Sequence, residues 1–226
     1  MNEWISYFLT LIPDFLNGTL VTLKLTFFGL ALGFVLGLPS AVARVYGNKW
    51  IKWIATAYIE LFRGTPILVQ LFLIYFGLPD LGITMSRMNA AYFALGLNSG
   101  AYQAEYFRGA IQAIGKGQMM AARAIGMSRI KAIRHIILPQ ALRYVIPAWS
   151  NEPISLMKAS AVAFLIAVPD LMTKAKIIAA HNYTPIETYL AVAFVYLILV
   201  FIMTTVMEYI EKRVRIPGFS VEVQRV

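Results

Sequence analysis

Residues 108–139 read RGAIQAIGKGQMMAARAIGMSRIKAIRHIILP. The stretch carries six cations, Arg108, Lys116, Arg123, Arg129, Lys131 and Arg134, and no acid. Apolar segments flank it on both sides, and a basic loop between apolar spans is expected on the cytoplasmic face of a membrane. Its middle, residues 117–127, is rich in Ala and Met and favours helix. Met120, Ala124 and Met127 recur at helical spacing and form an apolar face. The segment is too short to cross a bilayer. Its apolar face can lie on the membrane surface, or it can act as a peg that docks into a groove of a cytoplasmic partner.

Composition agrees with a membrane setting. The chain has 226 residues, 59% of them hydrophobic and 14% charged, with a mean hydropathy of +0.68. A soluble domain of this size needs far more charge on its surface. The expected fold is therefore all-α: a polytopic helical bundle forming one transmembrane domain over residues 1–226. The net charge of +9 does not point to nucleic acid, because the cations cluster beside apolar spans. There is no cysteine, which excludes disulfides, thiol catalysis and cysteine metal sites. The start, MNEWISYF, lacks a basic region and a small-residue cleavage site, so no removable signal peptide is expected.

Five spans are expected. Residues 1–16 hold Glu3, Trp4, Tyr7, Phe8, Asp14 and Phe15, an amphipathic set suited to the outer interface. Asn17-Gly18-Thr19 reads as a break before the first span, residues 19–42, in which Lys24 snorkels near the outer end. Gly29, Gly33 and Gly37 repeat every four residues there, as in helices that another helix approaches closely. The second span, residues 53–78, contains Glu60-Leu-Phe-Arg63-Gly-Thr-Pro66. Glu60 and Arg63 are spaced to pair on one helix face, and Gly64 and Pro66 should break the helix at a cavity. In the third span, residues 89–107, Asn98, Tyr102 and Glu105 share a face that cannot look at lipid. Glu105 is placed to meet Arg108.

The fourth apolar stretch, residues 136–168, is too long for one straight span, and Pro139, Pro147 and Pro153 should bend it. Asn151, Ser155 and Lys158 share a face within it, with Glu152 adjacent. Residues 169–187 are polar and expected outside as a loop, and residues 188–207 make a last span of about 30 Å. The segments assigned to the cytoplasm carry fourteen cations, against three (Arg87, Lys174 and Lys176) in the outer loops. That bias puts the N-terminus outside and the C-terminus inside.

Enzymatic chemistry finds little support. No segment fits GxxxxGK[ST], so the chain has no phosphate-binding loop of that type. His135 and His181 fall on opposite sides of the expected membrane, so they form no metal site. Glu105 and Glu152 lack a partnering His, Cys or metal cluster for acid–base work.

A family resemblance converges with these observations. Met120-Ala121-Ala122, three residues, Gly126, nine residues, Ile136, one residue, then Leu138-Pro139 resembles the EAA loop of permease subunits of ATP-binding-cassette importers. Met120 stands where that family usually has Glu. The runs ELFRGTP followed by LVQL, AYQAEYFRGAI and NEPISLMKASAVAF resemble the polar amino acid branch. The resemblance implies a type I importer permease and no catalysis in this chain. The EAA loop would be a coupling helix, with Gly117, Met120, Ala121, Ala122, Arg123 and Gly126 facing the ATPase. It also implies two ATP-binding subunits carrying ATP and Mg, a second permease subunit (identical or a close paralogue), an extracytoplasmic solute-binding protein, and a prokaryotic plasma or inner membrane.

The residues themselves speak to the solute. By depth, Thr65, Asn98 and Glu152 fall near the middle of their spans. Glu152 is an acid at mid-membrane with no cation three or four residues away on its own helix. It either pairs with Lys158 through bending at Pro153 or receives a cationic group of the solute. In the second case Asn98 and Thr65 would bind the solute's polar backbone atoms, Lys158 would meet its carboxylate, and Asn151 and Ser155 would complete the site. That favours arginine, lysine or histidine. Glutamine, glutamate or cystine importers of the same class remain alternatives, as does an ATP-independent secondary transporter or channel.

Overall fold

The computed structural model describes residues 2–114 and 116–214, with side chains from residue 11 onward. The interfacial side chains expected at Glu3, Trp4, Tyr7 and Phe8, and the tail cations Arg215 and Arg225, lie outside the described residues. All regular structure among the described residues is helical.

Helix α1 runs Asn2–Tyr46 without interruption, with Pro13 and Pro39 inside it. The expected break at Asn17-Gly18-Thr19 is therefore corrected. Gly18 is a packing residue: a Cβ there would sit 2.7 Å from Leu171 Cα, so its bareness admits the backbone of a later helix. The glycine ladder lies against a later helix, α4 (Arg87–Ala113). A Cβ on Gly33 would lie 2.9 Å from Ser99 Oγ, and one on Gly37 would lie 2.8 Å from Gly100 O. This close crossing brings the polar face of α4 beside α1.

Asn48 caps α2 (Lys49–Gly64) by accepting a hydrogen bond from Ile51 N at 3.0 Å. The helix stops where the sequence demands it. Thr65 and Pro66 are extended, and α3 (Ile67–Phe72) starts afresh. A π turn and a 3-10 turn carry α3 on to Leu81, bent by 105° from α2. Ser86 then caps α4 through Asn89 N.

The basic loop folds as α5 (Lys116–Ala124) and α6 (Arg129–Ala132). The helix expected over 117–127 is shorter than that. Gly126 takes φ +84°, and the N–H groups of Gly126 and Met127 close back on Arg123 O and Ala122 O at 3.1 Å each. This left-handed stop suits glycine.

A π turn at Ile133–Ile137 leads into the short helices α7 (Leu138–Tyr144), α8 (Ile146–Trp149) and α9 (Asn151–Ala159). Pro139 and Pro147 each sit in the first turn of a segment, where a missing N–H costs least. A 3-10 stretch, Ser160–Ile166, follows. The outer loop expected at residues 169–187 is corrected too: most of it is helix α10 (Leu171–Asn182). Asp170 caps it through Thr173 N at 2.9 Å, and Leu171, Ala175 and Ile178 pack on Leu11 and Phe15 of α1. Lys174 pairs with Asp14 at 2.8 Å. Charge made the segment look like loop, but the acid is a cap and Lys174 has a partner on α1.

The last helix, α11, runs Pro185–Val214 and leaves Leu190, Phe194, Leu197 and Phe201 exposed, as a lipid-facing helix does. By length and apolarity, residues 11–46 and 185–214 each suffice to cross a bilayer. Two bent pairs reach the same measure together: Lys49–Gly64 with Ile67–Leu81, and Ile146–Ile166 with Leu171–Asn182 at 51°. The third expected span, α4, has 27 residues but is more polar, and its small and polar side chains are buried against α1.

Candidate functional site

The break in α2–α3 leaves carbonyl groups that a continuous helix would satisfy. Gln70 takes them. Its Nε2 donates to Phe62 O at 2.8 Å and to Thr65 O and Thr65 Oγ1, both at 2.9 Å. Its Oε1 accepts from Asn98 Nδ2 at 3.1 Å, and Asn98 Nδ2 also donates to Phe62 O at 3.0 Å. A buried glutamine and an asparagine thus tie the broken ends to α4. The sequence singles out Asn98 and not Gln70 as a site residue. The signal was there: a polar residue inside an apolar span, five residues past Thr65. Gln70→Leu should leave Thr65 O and one Asn98 hydrogen without a protein partner. Unmet buried groups cost roughly 1–3 kcal/mol each, so thermal unfolding in detergent should occur at a distinctly lower temperature. An unchanged melting point would show that the break holds without Gln70.

Beside this knot lies a cavity of about 370 Å³ between the break, α4 and α9. Thr65, Asn98, Tyr102, Tyr106, Glu152 and Ser155 supply its polar wall, and Ile67, Leu156 and Ala159 the rest. Four of the sequence-derived candidates, Thr65, Asn98, Glu152 and Ser155, are thus brought together. The other two, Asn151 and Lys158, are exposed on α9 and do not line the cavity. Nor does Lys158 pair with Glu152. That carboxylate is 5% exposed and accepts from Ser99 Oγ at 2.6 Å. Ser99 in turn accepts from Gln103 Nε2 at 3.0 Å, and Gln103 Oε1 accepts from Trp149 Nε1 at 2.9 Å. Lys158 lies about 1.7 helical turns from Glu152 on a helix that runs unbroken through Pro153, and the expected pair does not form.

The hydrogen-bond inventory decides what the cavity offers. Thr65 already donates to Leu61 O at 2.8 Å. Both amide hydrogens of Asn98 are spent, which leaves its carbonyl oxygen as an acceptor. Glu152 adds a carboxylate. The acceptors Glu152, Asn98 Oδ1 and the second lone pair of Thr65 face donors only from Tyr102, Tyr106 and Ser155.

Towards the basic end of α4 the cations are organised by Glu105. Arg44 and Arg108 both hydrogen-bond to it, Arg108 at 2.7 Å, and Arg63 stands 3.9 Å away. Arg63 also lies over the Tyr102 ring, 5.4 Å from its centroid. The expected Glu60–Arg63 pair is corrected: Glu60 pairs with Arg44 at 3.1 Å. The C-terminal end of α1 puts Arg44 between the two acids, which frees Arg63 to turn towards α4. Glu105 does meet Arg108, as its spacing implied, but serves three helices.

Of the coupling candidates, Gly117, Met120, Ala121, Arg123 and Gly126 are exposed on the basic loop, whereas Ala122 is buried beneath it. Met120, Ile125 and Ile130 are exposed large apolar side chains.

Three comparisons bear on this arrangement. The family model described as "binding-protein-dependent transport system inner membrane component" matches residues 29–216. A probable glutamine ABC transporter permease protein of Bacillus subtilis is 38% identical over 199 residues, 88% of this chain and 92% of the relative. An arginine transport system permease protein of the same organism is 37% identical over 205 residues, 90% of this chain and 94% of the relative. Among solved structures, a crystal structure of an amino acid ABC transporter with histidines contains a chain that is 39% identical. It superposes with a TM-score of 0.84, covering 92% of this chain and 97% of that one.

Proposed function

The chain belongs to the family of binding-protein-dependent transport system inner membrane components, as the permease subunit of an amino acid ABC importer, and we propose that its solute is a cationic amino acid. It is a transport subunit and not an enzyme; ATP hydrolysis lies with separate subunits. The observation that carries the solute assignment is a cavity lined by the buried acid Glu152 and the acceptors Asn98 Oδ1 and Thr65 Oγ1, with no cationic side chain in its wall. A guanidinium or ammonium group supplies what those acceptors lack. The relatives' names include both glutamine and arginine, at 38% and 37% identity, so likeness alone does not choose between them.

The remaining parts follow from this assignment. Five crossings put the N-terminus outside and the basic loop inside a prokaryotic plasma or inner membrane, with α4 as the third. A second permease subunit faces the first, and two ATP-binding subunits dock from the cytoplasm. The segment from Lys116 to Met127 fits their cleft, with Met120 as an apolar contact. A solute-binding protein delivers the amino acid from outside. ATP-driven closure of the ATPase pair would draw the two basic loops together and open the path outward.

The test is purification and reconstitution. The chain should co-purify with an ATP-binding subunit encoded alongside it. Vesicles holding that complex and the binding protein should accumulate labelled arginine only with ATP, and lysine and histidine should compete where glutamate does not. ATP-independent uptake would favour a secondary transporter, and preferential glutamine uptake would remove the cationic assignment.

A further inference from the structure

A second cavity, of about 500 Å³, lies between α1, α2 and α4, apart from the site above. It falls within the ~300–1,000 Å³ typical of ligand pockets, but its wall is apolar. Leu36, Pro39 and Ala43 of α1 face Ile51, Ile54 and Tyr58 of α2. Its two hydroxyl hydrogens are spent within the protein: Ser40 Oγ donates to Leu36 O at 2.7 Å, and Tyr58 OH donates to Leu97 O at 2.8 Å. A polar guest would have no free donor here, while an apolar one would leave water. Ile51 to Tyr58 covers about 10 Å along α2, two-thirds of the ~15 Å that one leaflet adds to a ~30 Å hydrocarbon core.

Next to this cleft the chain is basic. Lys49 and Lys52 flank Ile51 in the sequence, are exposed, and enter no ion pair among the described residues. Arg129 lies over the Tyr46 ring at 5.4 Å and brings a further cation to the same end of α1. Between Asp14 and Glu60 the sequence contains no acid. Trp50 and Trp53, 76% and 65% exposed, sit beside the lysines as indoles do at head-group level. Basic pockets between helices on the cytoplasmic side suit anionic head groups.

We propose that the α1–α2 cleft binds one acyl chain of an anionic phospholipid, with Lys49 and Lys52 holding its head group. The lipid completes the packing of α2, which buries only Ala55 and Ile59 against the protein. Because α2 ends at the Gly64–Pro66 break, an occupied cleft steadies the helix whose C-cap, Thr65, borders the solute cavity.

Native mass spectrometry of the detergent-purified complex tests this, with phosphatidylglycerol and phosphatidylcholine as probes. The unmodified complex should retain phosphatidylglycerol about tenfold more tightly than phosphatidylcholine. The pair Lys49→Gln and Lys52→Gln, on an exposed turn, should erase that preference while lipid still binds. Ala43→Phe, which fills the cleft, should reduce retention of both. Equal retention of the two lipids by the unmodified complex, or a preference untouched by the lysine changes, overturns the site. So does a cleft filled by a second copy of this chain. The chain has no native cysteine, so a disulfide formed under an added thiol oxidant between two copies carrying Ile54→Cys would report such a filling. The readout is lipid mass, so failure here is separable from failure of the solute assignment.

Discussion

Replacing Gly126 with valine is expected to lower the solute moved per ATP hydrolysed by about tenfold, with insertion into the membrane unchanged. The number comes from the backbone. Gly126 sits at φ +84°, and a Cβ built there meets nothing within 4 Å, so the substitution creates strain and not collision. A left-handed conformation costs an L residue roughly 1–2 kcal/mol, more for a β-branched one, and 1.4 kcal/mol is a factor of ten in population. The loop would relax by unwinding the stop that Gly126 N and Met127 N make on Arg123 O and Ala122 O. Met120 and Ile125, both exposed, would then be presented at the wrong angle to a partner. Gly126→Asn is the control, since asparagine tolerates this region and should keep most of the coupling. Normal transport per ATP in the valine variant would show that the basic loop is not the coupling element.

Some of this architecture is legible in the sequence because it depends on local chemistry. Gly64-Thr65-Pro66 announces its break, since proline lacks a donor and glycine lacks a side chain, and the helix ends there. Gly33 and Gly37 announce a close neighbour, although they do not say that the neighbour is α4. Tertiary partners decide the rest. Gly18 carries the same signal as a helix breaker and is used to admit Leu171. Asp170 and Lys174 look like outer-loop charges, yet one caps α10 and the other pairs with Asp14, 160 residues earlier. Glu60 and Arg63 have ideal spacing for each other, but Arg44 comes closer to Glu60. The gathering of Thr65, Asn98 and Glu152 on one cavity was accessible from depth along each span, while the roles of Gln70 and Ser99 were not. Both act through side chains on other helices, which no spacing along one helix reveals.

Glu152→Gln should raise the KM for arginine uptake by about a hundredfold and leave the fold intact. Glutamine keeps the volume and can still accept from Ser99 Oγ, which now lies 2.6 Å from the carboxylate. What is lost is the charge. Removing one partner of a buried, hydrogen-bonded charge pair costs roughly 2–5 kcal/mol, and about 3 kcal/mol is two powers of ten. Without solute the sign reverses. A carboxylate that is 5% exposed and has a hydroxyl as its partner is a net cost to the fold, because desolvation opposes it. The variant should therefore unfold at the same temperature as the parent or higher, which separates loss of binding from loss of structure. A neutral amino acid should not suffer the same penalty, so the ratio of arginine to glutamine uptake should fall. The complete complex with ATPase and binding protein is needed, since the binding protein sets which solute arrives. Arginine uptake unchanged by Glu152→Gln would remove this carboxylate from the solute path. A fall in uptake matched by a fall in melting temperature would assign it to structure instead.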